Sequence, residues 1–396
     1  IIILIRLLKK KEDPIRFKEK FGFFSEKRKK GKLIWFHGAS VGEILSIVPL
    51  VEKLEKNKNI NQILITSNTL SSSKILSNLK LKKTKHQFFP IDTSYYTKSF
   101  LNYWRPSVAI FIDSEIWPNM ITNIKDKKIP LLLLNGRITK KSYKKWMKFP
   151  KIAKKNFEQF DKCFPSSLQS EKYLKLLGAK KIVNLGNLKF SQMERDKNNL
   201  NNELKRKILS KKIWCAASTH KNEEKLCALV HQKLRKKNKR LLTIIIPRHI
   251  ERTNDIINEI ERLNLKVHTH SSKNKLHEDT DIYLVDSYGK TKSFFKICKT
   301  VFLGGSIIAH GGQNPLEAAR YGCKILHGPN IWNFKEIYGL LNQHKVSTKT
   351  NNINQIVDNV DKTFKNKVNY KNIKYKIEKI GNKILNSTNR LLREQK

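Results

Sequence analysis

The stretch FLGGSIIAHGGQNPLEAARYGCKILHGPN, Phe302 to Asn330, decides the fold. The apolar run TVFLGG ends on Gly304 and Gly305. Gly311 and Gly312 follow, then a helix-like segment and a second apolar run, CKILHGP. Strand, glycine loop, helix and strand in that order make a βαβ unit of a parallel sheet. Glycine allows backbone to come close to another group. The helix start is well written: Asn314 is a good N-cap, Pro315 suits the first helical position, and Glu317 stands where a capping-box acid would be. Glycines ahead of a helix start offer free N–H groups and a positive dipole to an anion, so a phosphate is the expected visitor.

The same alternation runs outward in both directions. KIWCAAST, RLLTIIIPRH, KVHTH and DIYLVDS read as strands, with the amphipathic NEEKLCALVHQKLRKK between the first two. In the first half KLIWFHG (Lys32 to Gly38), NQILITSN, SVAIFIDS and IPLLLLNGR read as strands. They alternate with the helical EILSIVPLVEKLEK, SSSKILSNL and PNMITNIKDK. The halves meet in the polar stretch Asn184 to Lys207. A chain of 396 residues is long for one core, so two domains are expected. The expected division is a membrane-proximal segment over 1–30, one Rossmann-like domain over 31–195, and a second over 196–396 that includes the C-terminal helices. Whether the Lys/Asn/Ile-rich helix after Asn351 returns to the first domain is open at this level. Two doubly wound α/β domains facing a central cleft would put their ligands at the carboxyl ends of the strands.

Lys and Arg number 81 against 33 Asp and Glu, a formal net charge of +48. Such a surface attracts nucleic acid, anionic lipid or phosphorylated substrates. The excess is spread along the chain with no nucleic-acid motif, so nucleic acid is not the expected partner. The opening IIILIRLLKKK is too short to span a bilayer, which takes about 20 residues. It suits a short interfacial helix or part of a longer anchor. No cleavable signal pattern follows, so the globular part is expected on the cytoplasmic side. The five scattered cysteines form no CxxC pair, which argues against a zinc site or a disulfide framework. The absence of GxxxxGK[ST], of GxGxxG after a first strand and of HExxH argues against a P-loop nucleotidase, a nicotinamide enzyme and a metalloprotease.

A set of motifs then falls in order along the chain: FHGASVGE (Phe36 to Glu43), SEIWPN (Ser114 to Asn119), LNGRIT, GNLKF, ASTH, PRH, GGSIIAHGGQNPLEAARYG and HGPNIWNF. Together they resemble the 3-deoxy-D-manno-octulosonic acid (Kdo) transferases of lipid A assembly. The resemblance covers about Glu12 to Phe334 and includes EDPIRFKEKFG, similar to the segment after that family's membrane anchor. It implies a GT-B glycosyltransferase with CMP-Kdo as donor, a lipid A precursor (lipid IVA) as acceptor, inversion at the anomeric carbon, and no metal or other cofactor. It also implies a place on the cytoplasmic face of an anionic inner membrane, peripheral or with one N-terminal anchor.

Sugar transfer needs a base for the acceptor hydroxyl and a sink for the departing phosphate charge. Glu43, at a helix start after HGASVG, is either an ordinary first-turn acid or the base; the resemblance favours the base, with the helix dipole expected to keep it ionised. Glu115 closes the strand SVAIFIDS and is the implied second acid, with Asp113 on the same face if the strand continues. Ser40, Gly42 and Arg137 are assigned to the acceptor. On the donor side Arg248, after an apolar strand, fits a phosphate bidentately. Gly305, Ser306, Gly311, Gly312, Gln313 and Asn314 would ring the donor. Glu317 is a cap or a carboxylate for the ribose hydroxyls, and Asn333 is assigned to the donor by resemblance alone. Lys189, Ser218, His220 and His249 complete the set. One stretch departs from the family: VDSYGKTKSF carries Lys290 where an acid is usual. A UDP-sugar transferase or nucleotide-sugar epimerase is the alternative enzyme reading, against which the first-half motifs weigh.

Overall fold

The apolar runs form two separate parallel sheets in a computed structural model that describes residues 2–79, 81–192, 199–365 and 370–393. The first sheet contains β1 (Leu33–His37), β2 (Gln62–Ser67), β3 (Thr84–Phe88), β4 (Val108–Ile112), β5 (Leu131–Gly136) and β6 (Lys162–Pro165). Its order is β3-β2-β1-β4-β5-β6, all parallel, the doubly wound arrangement in which strand order reverses between β1 and β4. Every residue of β1, β2, β4 and β5 is buried, as expected of strands covered on both faces by helices. Trp35, Phe100, Trp104, Phe111, Phe157 and Phe160 fill one of the two layers. Five of its helices start where hydroxyl side chains take up an N–H three residues on, at Ser40, Thr69, Thr93, Thr139 and Ser167.

The second sheet contains β7 (Lys212–Thr219), β8 (Leu241–Pro247), β9 (Val267–Thr269), β10 (Ile282–Leu284), β11 (Thr300–Leu303), β12 (Lys324–His327) and β13 (Ser347–Lys349). Its order is β13-β12-β11-β7-β8-β10-β9, again parallel, with the reversal between β11 and β7. Trp214 is buried at its centre and donates its indole N–H to the Thr243 hydroxyl at 2.7 Å. All five cysteines are buried and free of disulfides.

The chain divides into residues 1–192 with 380–396, and residues 193–379. The expected boundary at 195/196 lies outside the described residues. The expected second domain loses its end: the helix Tyr370–Arg393 begins in the second unit and finishes in the first. Ile384 there packs over Gly186, and the backbone at Phe190 lies against Gly381. The apolar contact at Ile384 lays the end of this helix on the first unit, a return that composition alone left open. The helix expected from Asn314 is also shorter, running over Leu316–Arg320 with Pro315 at the cap position. Among the described residues no helix is long and apolar enough to cross a membrane. The helix Ile2–Leu8 leaves Ile5 and Leu8 exposed.

Candidate active site

In the first unit the loops after β1 and β4 emerge side by side where the strand order reverses, the usual ligand position of such sheets. The loop after β1 carries Ser40 and Glu43 into the helix Val41–Glu55 as a complete capping box. Ser40 Oγ donates to Glu43 Oε1 at 2.8 Å and the Ala39 N–H donates to Glu43 Oε2 at 2.7 Å. Gly42 is exposed, with nothing within 4 Å of where a Cβ would sit, so no close approach requires this glycine.

The loop after β4 is turned by Asp113, whose φ of +61° is uncommon outside glycine. That turn ends the strand at Ile112, so Asp113 and Glu115 do not share a face as a continued strand would require. They take different partners. Asp113 is buried, with Lys189 Nζ at 3.6 Å from its carboxylate. Burial pushes its carboxyl above the usual range against the charges of Lys189 and Arg137. Arg137 is exposed, donates its backbone N–H to Asp113 O, and its charge favours the ionised form of Asp113. Lys189 therefore belongs to this site, where the Leu188 N–H is held by Asn135 Oδ1 at 3.0 Å.

Glu115 Oε2 accepts from His37 Nε2 at 3.1 Å and from the Trp117 indole N–H at 2.8 Å. Burial raises this carboxyl, but those two donors outweigh it and hold it below the ordinary range. His37 is fully buried at the end of β1, stacked on Phe89 with centroids 3.8 Å apart. The Glu115 carboxylate only accepts, so His37 Nε2 carries a hydrogen and Nδ1 meets the Thr66 hydroxyl at 3.0 Å. Trp35 Nε1 donates to the same hydroxyl at 2.9 Å. A line of buried polar contacts thus runs from Trp35 through Thr66 and His37 to Glu115.

Glu43 responds to this arrangement. Burial first, then the nearby charge of Glu115, push its carboxyl up to about 7, against the lowering hydrogen bond from Ser40. The helix dipole was expected to keep Glu43 ionised. Desolvation and a like charge dominate instead and poise the group near neutral pH, where a general base works best. His37 and Trp117 escaped the sequence reading. Their signal is positional: a polar residue closing a wholly apolar strand, and an aromatic donor two residues beyond Glu115.

In the second unit the loops after β7 and β11 meet at the corresponding reversal. The N–H groups of Gly304, Gly305 and Gly312, expected free, are all bonded within the fold. Glu223, wholly buried at the start of the helix Glu223–Arg235, accepts N–H from Gly305 at 2.7 Å, Ser306 at 3.1 Å, Ile307 at 3.0 Å and His220 at 3.1 Å. Gly312 donates to Gly305 O. The buried Ser306 hydroxyl donates to Leu303 O and accepts from the Gly328 N–H. Gly305 and Ser306 are therefore spent on the fold, because an internal carboxylate occupies their donors.

Gly311, at φ +99°, lies where a side chain would collide with the Asn333 amide and the Trp332 indole. The Asn333 N–H donates to Gly311 O at 3.1 Å. Asn314 is exposed and its Oδ1 accepts the Leu316 N–H, a cap made one residue earlier than the helix proper. Gln313 and Glu317 are half-buried beside it. Arg248 follows directly on β8, exposed and with its N–H bonded to Thr219 O. His249, also exposed, pairs with Glu251 at 3.1 Å. Ser218 adopts φ +55°, and the rings of His220 and His310 lie 4.3 Å apart. Lys290 stands at the N-cap position of the short helix Thr291–Phe295, without a side-chain capping bond. Among the described residues no group of three His, Cys, Asp or Glu side chains is arranged to hold a metal ion.

Residues 15–192 match the family model described as 3-deoxy-D-manno-octulosonic-acid transferase (kdotransferase). The chain is 38% identical over 342 residues to the 3-deoxy-D-manno-octulosonic acid transferase of Rickettsia bellii, covering 84% of this chain and 79% of that one. It is 36% identical over 308 residues to the enzyme of the same name from Rickettsia prowazekii, covering 76% of this chain and 65% of that one. Among solved structures, a putative UDP-N-acetylglucosamine 2-epimerase from Listeria monocytogenes superposes with a TM-score of 0.61 at 13% identity, covering 92% of this chain and 97% of that one. At that identity the likeness is one of fold, the two Rossmann-like sheets of the GT-B class.

Proposed function

The chain belongs to the 3-deoxy-D-manno-octulosonic acid transferase family of glycosyltransferases, and from that premise we propose that it transfers Kdo from CMP-Kdo to a lipid A precursor, lipid IVA, with inversion. The observation that carries the reading is Glu43, poised near 7 beside a second acid whose own proton is held off by His37 and Trp117. As the acceptor oxygen attacks the anomeric carbon of Kdo, its proton passes to Glu43. The bond from that carbon to the phosphate breaks, and its electron pair leaves with CMP. Attack from the face opposite the leaving group inverts the centre. Glu115, held ionised, faces the positive charge that develops on the sugar ring. Ser40 orients Glu43; Lys189 and Arg137 offer charge to an anionic acceptor. In the second unit Arg248, Gln313, Asn314, Glu317 and Asn333 hold the donor, with the Arg248 guanidinium meeting its phosphate.

The membrane partner is an anionic lipid surface. The helix Lys140–Trp146 presents a surface recess of about 460 Å³ lined by Lys140, Lys141, Lys144, Lys145 and Lys148. Met147, Phe149 and Ile152 stand exposed beside it, and no acidic residue occurs between Asp126 and Glu158. Lysines with apolar neighbours suit headgroups over acyl chains, at about 1 kcal/mol per basic residue near the surface.

The test is transfer itself: purified protein, CMP-Kdo generated in place, and tetraacylated lipid A precursor in detergent, read by mass. A gain of Kdo mass is the expected result. No gain from a folded protein beside a working control enzyme overturns the reading.

A further inference from the structure

We propose that His220 Nε2 is a hydrogen-bond acceptor in the donor pocket, taking a hydrogen from a hydroxyl or amino group of the bound nucleotide sugar. The inference rests on the reading of the second unit as the CMP-Kdo site. His220 follows β7 and is only 7% exposed. Its Nδ1 lies 3.1 Å from Ser218 O, a carbonyl that can only accept, so the ring hydrogen is on Nδ1 and the lone pair on Nε2. That Nε2 is buried and has no hydrogen-bond partner among the described residues. Buried polar atoms are nearly always paired, so an orphan calls for an explanation, and a ligand group is one.

The surroundings point to a ligand of this kind. The rings of His310 and His249 lie 4.3 and 5.9 Å from that of His220. At Gly305 an added Cβ would meet His220 Cε1 and His310 Cδ2 at 3.2 Å and Gln313 Nε2 at 3.4 Å, so the glycine lets these side chains converge. Burial, with His310 next, lowers the tendency of His220 to protonate and keeps Nε2 a bare acceptor. A phosphate or carboxylate oxygen would find no hydrogen there. A ribose hydroxyl, the cytosine amine and a Kdo hydroxyl share the chemistry that fits.

Two substitutions separate the ring nitrogens. In His220→Asn the side-chain amide overlies Nδ1, preserving the bond to Ser218 while deleting Nε2. In His220→Gln the amide reaches the position of Nε2 and can present its oxygen. His220→Asn is expected to raise KM for CMP-Kdo about ten- to a hundredfold with kcat within about threefold and Tm unchanged, and His220→Gln to recover most of the loss. If calorimetric affinity for CMP falls in parallel, the hydrogen comes from the nucleotide; if only the KM for CMP-Kdo rises, it comes from the sugar. An unchanged KM in His220→Asn, or equal losses in both variants, overturns the proposal. Arg248→Ala distinguishes the failures. If it weakens CMP binding while His220→Asn does not, only the role of His220 falls; if neither alters CMP or CMP-Kdo binding, the donor is held elsewhere.

Discussion

Glu43 and Glu223 occupy matching places in the two units. Each follows the first strand of its sheet, at the start of the next helix, beside the point where strand order reverses. Their fates differ. Glu223 is wholly buried and four backbone N–H groups from two loops converge on it. Glu43 is half-buried, bonded mostly to its own capping box, and faces a second carboxylate. One acid organises a loop; the other is left with chemistry to perform. Position in the fold therefore nominates an acid, and its hydrogen-bond partners decide what it does.

The comparison breaks most visibly at Glu43. Glu43→Gln keeps the capping box, for which glutamine serves as well as glutamate, but deletes the base. Transfer should fall by about a thousandfold while CMP affinity stays within about twofold of wild type. Loss of CMP binding together with turnover would remove Glu43 from the role of base. In the unaltered protein kcat should rise with pH through about 7, because the ionised form is the active one.

Glu223→Gln should act on stability. The amide replaces one accepting oxygen by an NH2 group that faces backbone donors, and leaves at least one of them orphaned in a buried site, a loss of roughly 1–3 kcal/mol. Urea unfolding of the second unit should shift accordingly, and CMP affinity with it. A variant as stable as wild type would show that the loop needs no internal carboxylate.

His37→Phe tests whether the first unit's acids are coupled. The phenyl ring keeps the stack on Phe89 and deletes the donor to Glu115. Burial then pushes Glu115 up, its charge fades, and Glu43 becomes easier to ionise. The acid limb of the pH–rate profile should move below 7 while the maximal rate drops about tenfold. A limb that stays in place would uncouple the two groups.

How much of this was legible in the sequence follows from burial. The central strands announce themselves as apolar runs because both of their faces are covered. The strands that escaped, Thr84–Phe88, Lys162–Pro165 and Ser347–Lys349, all lie at sheet edges, where polar and short sequences suffice. Glu43 and Glu115 were found through an ordered set of motifs. His37 and Glu223 sit inside or beside those motifs, yet their roles depend on partners 78 and 82 residues away. A first-turn acid in NEEK reads the same whether it caps its own helix or clamps a distant loop.

The smallest effect discriminates most finely between the two acids. The folded-state value of Glu43, about 7, lies above the ordinary 4.5. Between those pH values the folded chain keeps a proton that the unfolded chain has released, so this group lowers stability as pH rises through the window, and the penalty is complete above 7. Glu43→Gln removes it. The variant should be more stable than wild type at pH 8 by about 1–2 kcal/mol after allowance for solvent screening, with the gap closing toward pH 5. Urea denaturation of both proteins at the two pH values measures it. A gap of constant size would mean that the substitution acts through the capping box and not through charge. At Glu223, where the carboxylate is consumed by the backbone, the same exchange should destabilise.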